Sequence, residues 1–216
     1  MTSRYGSSIA HRKYPRTPHL PWSPGATSDD VHLSSAQQFE GREVVITEKM
    51  DGENTSIYAD GTHARSLDSR GHSSRAYVKQ LAASLAGDIP ENFRLNGENI
   101  YAVHSIRYLA LPDWFLLFGI YRDDGVYIAW DEVVEWTGLL NLKLVPVLYR
   151  GIWNEEAVKA CYTGISQCGG EQEGYVVRLA EAFTDFSKSV SKFVRRGHVQ
   201  TDEHWMSKAV QVNGKI

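Results

Sequence analysis

Along most of this chain the apolar residues fall in short runs or alternate with polar ones, the signature of strands, and only a few stretches carry a helical period. The β-branched run Val44, Val45, Ile46, Thr47 is the clearest strand, and it ends in a polar turn, Glu48-Lys49-Met50-Asp51-Gly52-Glu53-Asn54. Alternation in 55–59, an Asp60-Gly61 turn and a return over 62–66 predict a β-hairpin, because glycine tolerates the positive φ that tight hairpin turns need. Ser73 or Ser74 is placed to cap a helix over about 75–87, with Tyr77, Val78, Leu81, Ala82 and Leu85 along one core-facing side. Strands follow at 93–102 and 114–121, the second returning across Asp123-Asp124-Gly125 into 126–129. Asp131 is expected to cap a helix near 132–140, residues 144–149 to form a strand, and Asn154 to cap a helix near 155–163. Two more strand-like stretches, 171–178 and 188–196, complete the pattern, with no internal repeat and no linker composition after residue 35.

The first 35 residues break this pattern. Pro15, Pro18, Pro21 and Pro24 deny the segment a helix or a central strand, so residues 1–35 are expected to form an arm or wrapped loop and 36–216 one α+β domain. Interleaved Arg12, Lys13, Arg16, His19 and Trp22 suit a nucleic-acid strand, with cations for phosphate and an aromatic for stacking. The same Trp and Tyr residues equally suit an arm packed over the domain.

Charge changes the picture little. A formal charge of −3 and a pI near 6.2 exclude bulk electrostatic affinity for polynucleotides, so any such contact must come from a local basic cleft. Cys161 and Cys168, spaced C-x6-C, match no zinc knuckle and read as reduced core thiols. No apolar leader opens the chain and no run approaches the roughly 18 apolar residues of a membrane span, so the expectation is a soluble, cytoplasmic protein with no membrane partner. His198 and His204 near the end suggest metal, but a surface helix closing the domain is the favoured reading of 197–205.

The candidate chemistry centres on Lys49. An ordinary lysine is only ~0.1% neutral near pH 7.4, so an uncharged amine costs about 4 kcal/mol unless its surroundings depress its pKa. The spacing Lys49-Met50-Asp51-Gly52 is short and taken alone fits a solvated hairpin as well as a nucleophile. Later stretches recur in a telling order: Asn96-Gly97-Glu98, Phe115-Leu116-Leu117-Phe118-Gly119, Glu173-Gly174-Tyr175-Val176 and Lys192. Together with the Lys49 turn these resemble motifs I, III, IIIa, IV and V of the covalent nucleotidyltransferases, the superfamily of ATP-dependent RNA and DNA ligases and mRNA capping enzymes. The resemblance spans about 43–196, and Glu48 directly before the lysine and Asn54 five residues after it are similar to the RNA ligase 2-like branch. The run from Ala64 to Arg70 is similar to bacterial and phage members of that branch.

The resemblance implies the nucleotidyltransferase (adenylation) domain of ATP-dependent ligases: two antiparallel β-sheets, flanking helices and an ATP cleft between the sheets. It implies an ATP-dependent RNA ligase that joins 5′-phosphate and 3′-hydroxyl ends through a lysyl-AMP intermediate and an adenylated 5′ end, with Mg²⁺ or Mn²⁺. A DNA nick-sealing ligase and an inactive nucleotide- or RNA-end-binding module are the alternatives. Lys49 would attack the α-phosphate within a catalytic set of Asp51, Asn54, Glu173 and Lys192, with nearby cations lowering its pKa. Glu48 would accept the adenine N6 amine, or else pair with Lys49 on the surface. Glu98 would bind the ribose hydroxyl and metal, Glu173 metal, and Phe118 the adenine face, with Phe115 its competitor. Asn54 would assist attack on the adenylated end, or only shape its turn. Either Arg65 or Arg70 would meet phosphate. Lys192 would bind phosphate too, with Lys188 the nearest lysine to a first motif V position that Val190 fills. Only 24 residues follow Lys192, too few for an OB-fold or helical C-terminal domain, which implies a minimal ligase or a partner protein that supplies one.

Overall fold

The computed structural model describes residues 9–68, 71–198 and 209–216. Its elements run β1 (Glu43–Lys49), β2 (Glu53–Tyr58), β3 (Gly61–Ala64), α1 (Ala76–Leu85), β4 (Phe93–Asn99), β5 (Phe115–Arg122), α2 (Trp130–Leu139), β6 (Lys143–Leu144), β7 (Val147–Ile152), α3 (Glu155–Ala160), β8 (Gly174–Leu179), α4 (Phe186–Ser189) and β9 (Val190–Val194). They build a four-stranded sheet in the order β7-β1-β8-β9 and a five-stranded sheet in the order β3-β2-β4-β5-β6. The first sheet is antiparallel throughout. The second ends in a parallel β5–β6 pair, a departure from the expected all-antiparallel sheets that is possible because α2 supplies the crossover a parallel neighbour needs.

Alternation along the first sheet decides which side chains meet the second. Val44 and Ile46 of β1 pack with Tyr175, Val177 and Leu179 of β8 in one core cluster, so the alternate residues Thr47 and Lys49, with Val176 and Lys192 beside them in register, face the other way. A second cluster, built from Ile57, Leu95, Phe115 and Leu117, is covered by Val78, Ala82 and Leu85 of α1 and by Trp130 and Val133 of α2. Val78, Ala82 and Leu85 are the buried members of the predicted helical face, and Tyr77 and Leu81 pack at its margin.

Several local expectations are corrected. The stretch 144–149 is two strands, not one. Val145 still donates to Leu117 in the second sheet, whereas Val147 already pairs with Thr47 in the first. The break falls at Pro146, which has no N–H for a ladder and whose carbonyl accepts from Glu48 N at 2.8 Å. Residues 126–129 make isolated bridges at Tyr127, to Tyr121 and to Phe183, rather than a strand. Ahead of α1 a 3₁₀ turn over Ser73–Arg75 is capped by His72, whose ring accepts from Ser74 N. At α2 the N-cap is Ala129, and Asp131 in the first turn binds Arg150 instead. Asn154 does cap α3, accepting from Ala157 N at 2.9 Å. The first hairpin turns at Ala59-Asp60, with Gly61 already paired to Tyr58.

The N-terminal segment is tied to the sheet through backbone hydrogen bonds. Lys192 N donates to Pro18 O at 2.9 Å and Leu20 N to Lys192 O at 2.8 Å, so residues 18–20 lie along the free edge of β9. His19 N to Val31 O and Leu33 N to His19 O then bring 31–33 alongside. Leu20 is fully buried, Trp22 donates to the Tyr175 hydroxyl, and Tyr14 packs edge-on against Phe118 and Phe186. Of the cations, Arg12, Lys13 and Arg16 stay exposed. Cys161 and Cys168 are free thiols that burial pushes up to about 11. Among the described residues no helix is long and apolar enough to cross a membrane.

Candidate active site

The polar ends of β1, β2, β4, β8 and β9 converge on a cleft of about 1250 Å³ between the two sheets, bordered on one side by Tyr14, Asp29 and Asp30 of the N-terminal segment. Lys49 stands at its centre because it is the last residue of β1 and pairs in register with Gly174, which sets Glu173 beside it. Lys49 Nζ lies 2.7 Å from Glu173 Oε1; the lysine side chain is 22% exposed and reachable from the cleft, whereas the glutamate is sealed at 1%.

Three carboxylates govern that lysine. Burial alone would pull the Lys49 ammonium down, but Glu173, Glu98 and Asp51 outweigh it and raise its pKa. This corrects the expectation of a lysine depressed by neighbouring cations: the cluster favours the charged form and holds the proton on Nζ. Burial pushes Glu98 up to about 8 and Glu173 up to about 7, with Lys49 opposing the rise and the other carboxylates adding to it. Between pH 4.5 and 8 the folded protein therefore keeps protons that the unfolded chain has released. The stability these groups contribute is complete below their ordinary pKa and is lost as pH rises through the folded values. Lys192 and the buried histidines titrate nearby, so the difference between wild type and Glu98→Gln isolates the carboxylates. The variant should gain about 2 kcal/mol on wild type between pH 6 and pH 8.5 in thermal unfolding without nucleotide or metal. A difference that stays flat with pH would mean that Glu98 is ionised throughout.

Asp51 is anchored by the distant segment 105–108. Its Oδ2 accepts from Ser105 N, Ser105 Oγ and Ile106 N, and its backbone N–H donates to the Tyr108 hydroxyl. Its Oδ1 is left facing His198 Nε2 at 3.5 Å, and that nitrogen is 3.2 Å from Glu173 Oε1. Burial, reinforced by Lys49, Arg195 and Lys192, lowers the His198 pKa against the pull of Asp51, so the ring is neutral. His198 departs from the surface reading, since its side chain is 2% exposed and reaches into the cleft from a turn; the helix expected over 197–205 otherwise lies outside the described residues. His204 and Arg70 lie outside the described residues. One ligand atom each of Asp51, Glu173 and His198 fall within 4.8 Å of one another, and Glu173 Oε2 and His198 Nδ1 have no hydrogen-bond partner. Hard carboxylate oxygens with one neutral imidazole fit Mg²⁺ or Mn²⁺. Glu98, on β4 opposite Asn54, is not a member of that group.

The remaining candidates sort by position. Phe118 lines the cleft, while Phe115 is fully buried with its ring over Gly97, where a Cβ would meet it at 2.3 Å. Glu48 is 2% exposed, so it is no surface partner for Lys49; Gln167 N holds its Oε2, burial raises its pKa, and Oε1 has no partner. Asn54 borders the cleft, and its Oδ1 is likewise buried and unpartnered. Arg65 lines the rim, and Lys192, which burial and Lys49 lower to about 8, lies deeper. Lys188 is excluded from the cleft: α4 ends at Ser189 and leaves Lys188 76% exposed, paired with Asp185. Sequence reasoning missed Arg178, a buried cleft residue whose guanidinium lies 3.5 Å from where a Cβ on Gly119, the neighbour of Phe118, would stand, and donates to Ile128 O and Leu179 O. It also missed the Arg75–Glu53 ion pair at the cleft edge. Only the Arg within the strand alternation of 174–179 offered a signal, since a charged residue between apolar ones on a central strand faces a cleft or a partner.

Comparison with known proteins places this geometry. The family described as RNA ligase matches residues 42–194. No curated protein sequence matches. Among solved structures, an RNA ligase from Naegleria gruberi with pyrophosphate is similar at 22% identity and TM-score 0.55, covering 74% of this chain and 51% of that one. A mutant of the same enzyme with ATP and Mn matches with the same values. An archaeal ATP-dependent RNA ligase is similar at 14% identity and TM-score 0.54, covering 85% of this chain and 48% of that one. This chain thus spans about half the length of these relatives, and what it shares with them is the nucleotidyltransferase fold.

Proposed function

The chain belongs to the RNA ligase family, and from that premise we propose that it is an ATP-dependent RNA ligase that seals 5′-phosphate to 3′-hydroxyl ends. The observation that carries this reading is Lys49, set at a strand end in a nucleotide-sized cleft with Glu173 on one side, Glu98 opposite and Lys192 behind. The Lys49 amine attacks the α-phosphorus of ATP, forming a P–N bond as the P–O bond to pyrophosphate breaks. AMP then passes to the 5′-phosphate of RNA, and the 3′-hydroxyl displaces it. At rest Glu173 holds the proton on Lys49 Nζ, so attack requires that grip to weaken. Asp51, Glu173 and His198 would hold a Mg²⁺ or Mn²⁺ ion, whose positive charge would offset these carboxylates and shield phosphate oxygens. Phe118 stacks on the base, Glu98 holds the ribose, and Lys192 and Arg65 meet phosphate. Glu48 Oε1, buried without a partner, takes the adenine N6 amine and so selects ATP over GTP. Asn54, whose Oδ1 is buried and unpartnered, assists attack on the adenylated end. The free thiols, Cys168 buried and Cys161 half-buried, suit the reducing cytoplasm.

The test is incubation of the pure, folded protein with α-³²P-ATP and Mg²⁺ or Mn²⁺, followed by denaturing electrophoresis beside a GTP lane. A labelled protein band with ATP alone is the expected result. No band with either metal, in protein freed of bound AMP, overturns the reading.

Exposed Arg12, Lys13 and Arg16 give a separate expectation. Replacing all three with alanine should weaken RNA binding and flatten its salt dependence, leaving ATP labelling intact. Unchanged binding in a filter assay across a salt series would make the segment purely structural.

A further inference from the structure

We infer that the N-terminal segment supplies a positioning residue to the active site: Asp30, braced by Thr27 and His19, aims Lys192 into the cleft. The inference rests on the reading of Lys192 as the phosphate-binding lysine, and it adds a part of the chain that lies wholly before the matched family region.

The backbone argument comes first. Lys192 is gripped on both edges of β9, by Val176 of β8 in register on one side and by Pro18 O and Leu20 N on the other. The grip continues past the lysine: Gly25 N donates to Val194 O at 2.9 Å and Val194 N donates to Ser23 Oγ at 2.9 Å. Gly25 must be glycine there, since a Cβ would stand 2.3 Å from Arg195 O. The segment therefore packs as an added edge to the sheet, and its side chains are delivered in register with β9.

Side chains follow from that register. His19 pairs directly with Lys192 and with His32, and its ring is 1% exposed. Ser23 Oγ accepts from Val194 N and is hydrogen-bonded to His19 Nδ1 at 2.8 Å, which fixes the ring. The other ring nitrogen, Nε2, has no hydrogen-bond partner and points at Asp30 Oδ2, 3.6 Å away. Thr27 N and Oγ both donate to the same Oδ2 at 3.0 Å. One oxygen of Asp30 is thus fixed by its own turn, and the other, Oδ1, faces Lys192 Nζ at 3.9 Å. A carboxylate immobilised on one oxygen and free on the other is a device for orienting a cation, and Lys192, only 12% exposed, is the cation it meets.

The role predicts a particular kinetic split. Asp30→Asn keeps an oxygen for Thr27 and removes the charge that holds Lys192. Misplacing a phosphate contact should lower kcat of self-adenylation about tenfold. KM for ATP should stay level or fall, because a negative charge leaves the phosphate side of the cleft. In a Lys192→Ala background the same substitution should have no further effect. The experiment measures lysyl-AMP formation against ATP concentration for wild type, Asp30→Asn, Lys192→Ala and the double variant, with thermal unfolding of each. A lowered kcat that vanishes in the double variant, at unchanged melting temperature, is the expected result. Asp30→Asn kinetics equal to wild type, or a loss that adds fully to that of Lys192→Ala, overturns the inference while leaving the ligase reading in place. Absence of adenylation in wild type defeats the ligase reading itself.

Discussion

Lys49→Ala should take up no label from α-³²P-ATP under conditions that label wild type, a loss on the order of 10⁴-fold or more, since no other amine can replace it. Lys192 is the other lysine lining the cleft, but it reaches it from the middle of β9 and not from the end of β1 beside Glu173. The same variant should still join an RNA that already carries a 5′-adenylate, because displacement of AMP by a 3′-hydroxyl forms no bond to the lysine. That contrast separates loss of a nucleophile from loss of a site. It also exposes a structural cost: without the ammonium, Glu173, sealed at 1% exposure and with one oxygen already unpartnered, has lost the ion pair at 2.7 Å. Glu173 should then titrate higher than about 7, so joining by the variant should be more sensitive to low pH than joining by wild type. Gel assays of both reactions across pH 6 to 9 check this. Label on the variant, or loss of both reactions in folded protein, would remove Lys49 from the role of nucleophile.

Lys49, Glu98 and Lys192 were legible because each lies on a strand whose alternation can be read locally. Lys49 closes the β-branched run of β1, Glu98 follows the glycine that makes room for Phe115, and Lys192 sits mid-strand in β9. Their meeting is a matter of register, Lys49 opposite Gly174 and Val176 opposite Lys192, and register is set by pairs far apart in sequence. What is non-local escaped. The pKa of Lys49 rises rather than falls because Glu173, Glu98 and Asp51 arrive from three separate segments. His198 reads as surface until the turn after β9 is seen to fold back on Asp51. Lys188 looks near the site by spacing, but α4 intervenes and turns it to solvent. The proline-rich segment carries no periodicity, so nothing in it announces a partner for β9.

Gly174→Ala is expected to be the most damaging glycine-to-alanine change among the described residues. A Cβ at 174 would stand 1.9 Å from Phe193 O, 2.9 Å from Phe193 C and 3.1 Å from Val194 Cα. All three are backbone atoms of β9, the strand paired to Gly174 through Val194, so no side-chain rotation relieves the clash and the two strands must part. Separation strains the Arg195 N to Glu173 O hydrogen bond at 3.0 Å and shifts Glu173 relative to both Lys49 and Lys192. The glycine after Glu173 is thus required by the close approach of β9. Overpacking against backbone should cost about 3 kcal/mol and lower the melting temperature by roughly 10 °C in a chain of this size. Labelling, measured well below the variant's own melting point, should fall further than unfolding accounts for, because the carboxylate is displaced as well. Gly138→Ala in α2 is the matched control: a Cβ there meets nothing within 4 Å, and alanine in a helix should be neutral or stabilising by up to about 1 kcal/mol. Thermal unfolding of the pair beside wild type decides the matter. A Gly174→Ala protein that melts with wild type would mean β9 yields without cost, and the close approach would then not be what holds Glu173 against Lys49.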